Sequence, residues 1–335
     1  MIWKLLELPD PNTAQALADQ LANGQPFPLP IAEILVRRGI QNYEQAKAFF
    51  VPEATQLHNP FLMQDMELAV DRILHARSEG QKILLLGDYD VDGTTTVKLL
   101  SLFFSQWELA YEYYIPDRYT EGYGVSYQGI DFAESIGAAL IISLDCGIKA
   151  TDKVRYASLK GIDFIACDPH KPGAELPAAL AVLDPQRPDC TYPDKNLTGC
   201  GVGFKLIQAI IQRLHEQGQA LPQPGFDPLA EYSDLITLSI ACDIVPIVGE
   251  NRAIAYQGMM KLQSAPLPGI KALMDQAGDT RDWDISDLVF FIGPRINAAG
   301  RLGHASEAVE VLLGKSLELH DLAAELQSSN TARQD

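Results

Sequence analysis

The sequence predicts an α/β fold: a parallel five-stranded sheet flanked by helices, with a helical segment before it and further helices after it. Two observations carry that expectation. Short runs rich in Val, Ile and Leu alternate with helix-period stretches between residues 82 and 184, and continuous apolar runs mark strands buried on both faces of a parallel sheet. Acids also recur where those runs stop, at Asp88, Asp145, Asp168 and Asp184. That is the rim at which an open parallel sheet binds its ligands.

The elements follow in order. Residues 1–75 mix helix and loop; "PLPIAEILVRRGI" and "NYEQAKAFF" have helical spacing, with Asn42 placed to cap the second and Gln45 at its capping-box position. The sheet region opens with the strand "KILLLGD" and the helix "TTTVKLLSLFFSQW". Next come the strand "AYEYYIP", the helix "YQGIDFAESIG", the strand "AALIISLDCG" and the helix "KATDKVRYASLKG". The strands "IDFIACD" and "LAVLDP" complete it. After Pro193 the chain is mainly helical. We read residues 76–260 as the domain that carries the sheet and 261–335 as a helical extension. The final stretch, "SLELHDLAAELQSSNTARQD", reads as a helix without a cap or Gly stop, which predicts a linker helix cut short.

With 335 residues, 47% of them hydrophobic, the chain has ordinary globular make-up. No apolar run approaches the ~20 residues needed to span a bilayer, and the start "MIWKLLELPDPNTAQ" lacks the pattern of a secretory signal. The five cysteines are odd in number and form no C-x-x-C pair. This argues against a disulfide framework or zinc knuckle and for a reducing cytoplasm. A net charge of −18 argues against a general nucleic-acid coat. It does not exclude a nuclease, because a carboxylate site stays negative only until metal binds. An acidic, solubilising surface explains most of the charge.

The stretch "KILLLGDYDVDGTTT", residues 82–96, places Asp88, Asp90 and Asp92 at alternate positions. Two unit charges about 4 Å apart repel by roughly 1 kcal/mol in water and about 4 kcal/mol at an effective dielectric of 20. Divalent cations offset such repulsion best, and hard oxygen ligands suit Mg²⁺ or Mn²⁺, with an imidazole tilting the choice toward Mn²⁺. A single acid after a strand is commonly a helix cap or turn residue; a cluster of three facing others on one rim weakens that reading. Three motifs compete for the stretch. An EF-hand loop needs a glutamate at its twelfth position, which here is Leu99, and a helix ahead of it in place of a strand. A haloacid-dehalogenase phosphatase begins with a strand and D-x-D-G-T, making Asp90 the nucleophile and Asp92 the acid/base, and leaves Asp88 unexplained.

The third reading is a family resemblance. "GDYDVDGTTT", "DRYTEGYGVS", "IISLDCGI", "CDPHKPGAELPAALAVLDPQRPDC", "GVGFKL", "IACDIVPIVGENR" and "GPRINAAGRL" stand in the order found in DHH phosphoesterases, and in detail the chain resembles the RecJ single-strand exonuclease branch. The likeness covers nearly the whole chain. Members of that branch continue into a DHH-associated domain and an OB-fold, neither of which is present in this sequence. The resemblance implies two metal ions held by Asp88, Asp90 and Asp92, with Asp145 as the bridge and Asp243 as a further ligand. On residue type alone Asp243 is equally a helix-end acid. It implies a single-stranded DNA substrate cut from the 5′ end, a setting in DNA repair and recombination, and no membrane partner. Arg118, before "EGYG", is a candidate phosphate clamp, and Tyr123 a stacking surface for base or sugar. Arg295 and Arg301 in "GPRINAAGR" are further phosphate candidates. Lys149 and Lys171 add positive potential without carrying the site.

One position departs from the family pattern. Where its name gives Asp-His-His, this chain has Asp168-Pro169-His170. Proline has no ring donor and no backbone N–H, and it holds the preceding residue extended, so the strand end tolerates it while one metal loses a ligand. By resemblance Asp168 and His170 are the catalytic pair, with His170 as general acid, phosphate contact or substitute ligand. Three explanations stand: a weakened natural nuclease, an introduced change, or His170 swinging in to complete the site. A catalytically impaired module that binds single strands is the non-enzymatic alternative. His58, His75, His215, His304 and His320 lie outside the motifs and read as surface or satisfied residues. Cys146, Cys167 and Cys242 neighbour site acids and read as small packing residues.

Overall fold

The structure, a computed structural model, describes residues 9–278, 282–301 (side chains to 298), 309–312 and positions 324, 326 and 328. The expected terminal helix of residues 316–335, His304 and His320 therefore lie almost wholly outside the described residues. Two compact units are present, Met1–Gln56 and Leu57–Asp335.

In the first unit three helices, α1 (Pro11–Leu21), α2 (Leu29–Arg37) and α3 (Tyr43–Phe50), bury Leu17, Ala32, Leu35 and Ala46 among themselves. Asp10 caps α1, accepting from the amides of Asn12 and Thr13, and Pro11 fills the first helical position, where no donor is needed. Asn42 caps α3 as expected, accepting from Gln45 N at 2.9 Å. The reciprocal half of the capping box differs. Gln45 Oε1 accepts from Gln41 N at 2.7 Å, one residue earlier than the cap itself.

The second unit is built on the expected sheet. Helix α4 (Met66–Ser78) leads into β1 (Lys82–Gly87), α5 (Val91–Gln106), β2 (Tyr111–Tyr114), α6 (Tyr127–Ser135), β3 (Ala138–Leu144), α7 (Thr151–Leu159), β4 (Asp163–Cys167) and β5 (Ala181–Leu183). All pairings are parallel and the strand order is β2-β1-β3-β4-β5. The apolar runs are continuous because both faces are covered. Ile83 and Leu85 join the core beneath α4 and α5, and the alternate residues Leu84 and Leu86 join a second core with Ile130 of α6 and Val154 of α7. Helices α8 (Gly199–Glu216), α9 (Pro228–Cys242), α10 (Gly249–Ser264), α11 (Pro268–Gln276), the short α12 (Ile285–Asp287) and α13 (Gly293–Arg301) follow, with a π turn at Leu288–Ile292. Among the described residues no helix is long and apolar enough to cross a membrane. All five cysteines are free thiols.

Helix α5 is buried on nearly every side, and its threonines answer much of their hydrogen bonding within the helix. Thr94, Thr95 and Thr96 each donate to the carbonyl four residues back, at 2.7, 2.7 and 2.6 Å. A buried ion pair, Lys205–Glu250 at 2.7 Å with neither side chain exposed, ties α8 to α10. Glu250 also accepts from Tyr192 and from the backbone of His58, so its charge is fully solvated by protein.

Candidate metal centre

The strand order puts a switch point between β1 and β3: from β1 the chain crosses to β2 on one side, then returns to β3 on the other. A crevice opens there beyond the strand ends. Three acids occupy it at the same height. Each follows its strand by one residue, and each amide makes the last rung of the ladder: Asp88 N to Leu144 O at 3.3 Å, Asp145 N to Cys167 O at 2.9 Å, Asp168 N to Leu183 O at 3.1 Å. The sheet register therefore aligns the acids.

Local backbone finishes the arrangement. Asp90 caps α5 by accepting from Gly93 N at 3.0 Å. Gly93 is required there because a Cβ would lie 2.4 Å from the carbonyl of Asp88. After β3 the chain turns sharply, with φ +60° at Asp145 and +113° at Gly147, conformations that suit Asp and Gly. The turn returns Ile148 N to Asp168 Oδ2 at 2.8 Å. Pro169 sits in the next turn, its carbonyl accepting from Gln186 Nε2 at 2.6 Å. His170 folds back from it. Its backbone N and its ring Nδ1 approach Asp168 Oδ1 at 3.0 and 2.8 Å, and Nδ1 lies 3.7 Å from Asp145 Oδ1.

Two sets of ligand-type atoms result among the described residues: Asp88, Asp90 and Asp145, and Asp145, Asp168 and His170, each set within 4.8 Å. Asp145 belongs to both. Their electrostatics fit cations. Both oxygens of Asp88 and Oδ1 of Asp145 are buried without a hydrogen-bond partner of normal geometry among the described residues, a costly state unless a positive charge answers it. Burial, then the charge of Asp90, pushes Asp88 up to about 7, with the nearby Tyr123 hydroxyl opposing. Burial first, then Asp92, Asp90 and Asp168, holds Asp145 well above the carboxylate range. The hydrogen bond to Asp168 raises His170 to about 9 against its partial burial.

Asp243 caps α9 at its C-terminal end. Its residue is exposed, yet protein packed about the carboxyl, then Asp92 and Asp90, raises it to about 7. Its charge reaches Asp145 and His170, so it borders the crevice without joining either set. Asp92, expected among the ligands, has another task. Oδ2 accepts from Gly199 N at 2.6 Å, and Oδ1 accepts from Cys200 N at 2.9 Å and Ser239 Oγ at 2.7 Å. Both oxygens are committed to the N-terminus of α8 and to α9, and Asp92 is in neither set. Asp184 is fully buried with Oδ2 unpaired among the described residues, but it too stands apart from both.

The expected substrate contacts divide. The Arg118 guanidinium lies over the Tyr89 ring at 5.2 Å, and Tyr89 meets Tyr123 edge-on at 6.0 Å. A chain of cation and rings thus runs from the surface to Asp88, and Tyr89 is the link the sequence did not single out. Arg295 is only 7% exposed and donates to the carbonyl of Phe291, with Nε unpaired; it is not part of the acid cluster. The Arg301 side chain lies outside the described residues. Burial raises the thiols of Cys146, Cys167 and Cys242, as packing residues require.

The DHH family, N-terminal domain, matches residues 82–240. The single-stranded-DNA-specific exonuclease RecJ of Bacillus subtilis is 36% identical over 336 residues, covering 100% of this chain and 40% of the relative. The protein of the same description from Escherichia coli is 38% identical over 283 residues, covering 82% and 48%. The crystal structure of an exonuclease RecJ bound to manganese superposes with a TM-score of 0.73 at 30% identity, covering 83% of this chain and 68% of that one. The chain spans less than half the length of these two curated relatives.

Proposed function

The chain belongs to the RecJ-like branch of the DHH family, and from that premise we propose that it is a two-metal phosphodiesterase which removes nucleotides from the 5′ end of single-stranded DNA, in DNA repair and recombination. One observation carries the metal part: a single carboxylate, Asp145, shared by two sets of ligand atoms. Mn²⁺ or Mg²⁺ in such a pair supplies a hydroxide nucleophile and stabilises the charge that develops on the phosphate. Asp88 and Asp90 hold one ion, Asp168 and His170 the other, and Asp145 both. Asp243 adds charge at the rim. Asp168 orients the His170 ring and favours its protonated form. Arg118 grips a phosphate with the Tyr89 ring beneath it, and Tyr123 stacks on the base or sugar of the strand end. The single-stranded DNA substrate rests on the relatives, one of which is manganese-bound, and the 5′ polarity on the family resemblance.

The geometry supports His170 as the replacement for the ligand that Pro169 removes, since its Nδ1 lies beside both Asp168 and Asp145. The phosphatase reading is set aside: its acid/base would be Asp92, whose oxygens are held by three donors. Five free thiols support a reducing, cytoplasmic setting.

The test compares this chain with Pro169→His for Mn²⁺ binding and for shortening of 5′-labelled single strands. Both proteins are expected to bind Mn²⁺ and to release labelled mononucleotide. Metal binding with no cleavage by either protein would leave only a strand-binding module. No metal binding by either would end the two-metal reading.

A further inference from the structure

The turn Asp168-Pro169-His170 is held from outside the acid cluster by a side chain that the roles above do not use. Gln186 Nε2 donates to the carbonyl of Pro169 at 2.6 Å. The N–H of the same peptide unit, that of His170, donates to Asp168 Oδ1 at 3.0 Å. The peptide plane between Pro169 and His170 is therefore pinned at both of its polar groups. A proline ring sets φ near −65°, which leaves ψ as the soft torsion of Pro169. Holding the carbonyl holds ψ. With both torsions set, His170 leaves the turn in one direction, and its Nδ1 arrives 2.8 Å from Asp168 Oδ1 and 3.7 Å from Asp145 Oδ1.

Gln186 stands on a loop that is itself fastened on both sides. Its backbone N donates to Oδ1 of the buried Asp184 at 2.6 Å. Before it, Lys195 Nζ donates to the carbonyls of Pro185 and Cys190 at 2.6 and 2.9 Å. After it, Arg187 pairs with Asp189 at 2.7 Å and with Asp65 at 2.5 Å, and donates to the carbonyl of Val182 at 2.7 Å. Asp65 Oδ2 also accepts from Val182 N at 3.1 Å. The Asp65–Arg187 pair thus answers both outward polar groups of Val182 in β5, the last strand of the sheet, much as a neighbouring strand would. From the middle of this fixed loop an exposed residue sends its amide to the turn. We propose that Gln186 is a positioning residue for the second ion: together with Pro169 it presets His170 beside Asp168 and Asp145. The inference rests on the reading of His170 as a metal ligand and names what holds that ligand in place.

The test is Gln186→Met in the full chain, which keeps the length of the side chain, removes the donor and adds no charge. Mn²⁺ is titrated calorimetrically, and exchange of the His170 amide hydrogen is followed by NMR in chelator. The ion whose binding His170→Ala also weakens is expected to bind about threefold to tenfold more weakly, the worth of one hydrogen bond, while the other ion binds as before. The His170 amide is expected to exchange faster by a similar factor, since the peptide is then pinned at one end. In a His170→Ala background Gln186→Met is expected to change neither ion, because a brace acts only through what it holds. Unchanged Mn²⁺ affinity in Gln186→Met, or an equal loss with His170 already removed, would overturn the proposal. Failure of the unaltered chain to bind Mn²⁺ would strike the two-metal reading instead, and the exchange rate in chelator would still decide whether Gln186 holds the turn, an unchanged rate overturning it.

Discussion

Replacing Asp92 by alanine separates an anchoring carboxylate from a ligating one. The substitution strands three buried donors: the amides of Gly199 and Cys200 and the hydroxyl of Ser239. Ser239 has a second partner in Thr198 Oγ1 at 2.6 Å, so two amides remain unanswered. Each buried donor left unsatisfied costs about 1–3 kcal/mol, which gives about 2–6 kcal/mol for the pair. The loss of a negative charge at the N-terminus of α8 adds about 0.3–1 kcal/mol. Relief acts the other way, because Asp92 is itself buried beside Asp90 and its pKa is raised for both reasons. A net loss of about 2–4 kcal/mol is expected, a large share of the 5–15 kcal/mol typical of a folded protein. Asp92→Asn keeps one oxygen and the shape, and is expected to lose about half as much. Urea unfolding measures both, as a fall in midpoint at constant slope. Mn²⁺ binding, measured well below the midpoint, is expected to persist in each variant. An Asp92→Ala protein of unaltered stability that no longer binds Mn²⁺ would refute the anchoring role and restore Asp92 to the ligands.

Four further outcomes follow from the structure. Metal binding is expected to release protons and to strengthen as pH rises through about 7 toward 9, because Asp88 holds its proton to about 7 and His170 to about 9 and an ion must displace both; calorimetry in buffers of different ionisation enthalpy reads the proton count, and a pH-independent affinity between 5.5 and 8 would contradict it. By the same sign, chelator-treated protein loses stability as pH rises from about 4 toward 7, where the unfolded chain has given up the Asp88 proton and the folded chain has not. His170→Ala removes a ligand atom from the second set and is expected to weaken one Mn²⁺ by about tenfold or more, seen as a second, weaker phase in the titration. Lys205→Met leaves Glu250 charged and buried, and is expected to cost about 3–5 kcal/mol in thermal or urea unfolding, with Lys205→Met, Glu250→Leu recovering part of it; a loss below about 1 kcal/mol would show the pair to be idle.

Much of this was legible in the residues, for identifiable reasons. A strand covered on both faces must be apolar throughout, so "KILLLG" and "AALIISL" announce themselves, and the acid after each closes the ladder with its amide. What stayed hidden depends on partners distant in sequence. Asp92 was grouped with Asp88 and Asp90 by spacing, yet its work is set by amides 107 and 108 residues away. The Arg118–Tyr89 contact crosses from one loop to another. Arg295 shows the converse, since a motif suggests an exposed clamp and the fold buries it.

That one carboxylate at the end of β3 belongs to both sets of atoms means that two ions held there would not load independently. An ion in one set would draw on charge that the other set also needs, and two cations across one carboxylate would repel each other, so the second ion would be held more weakly and occupancy would spread over a wide span of free metal concentration.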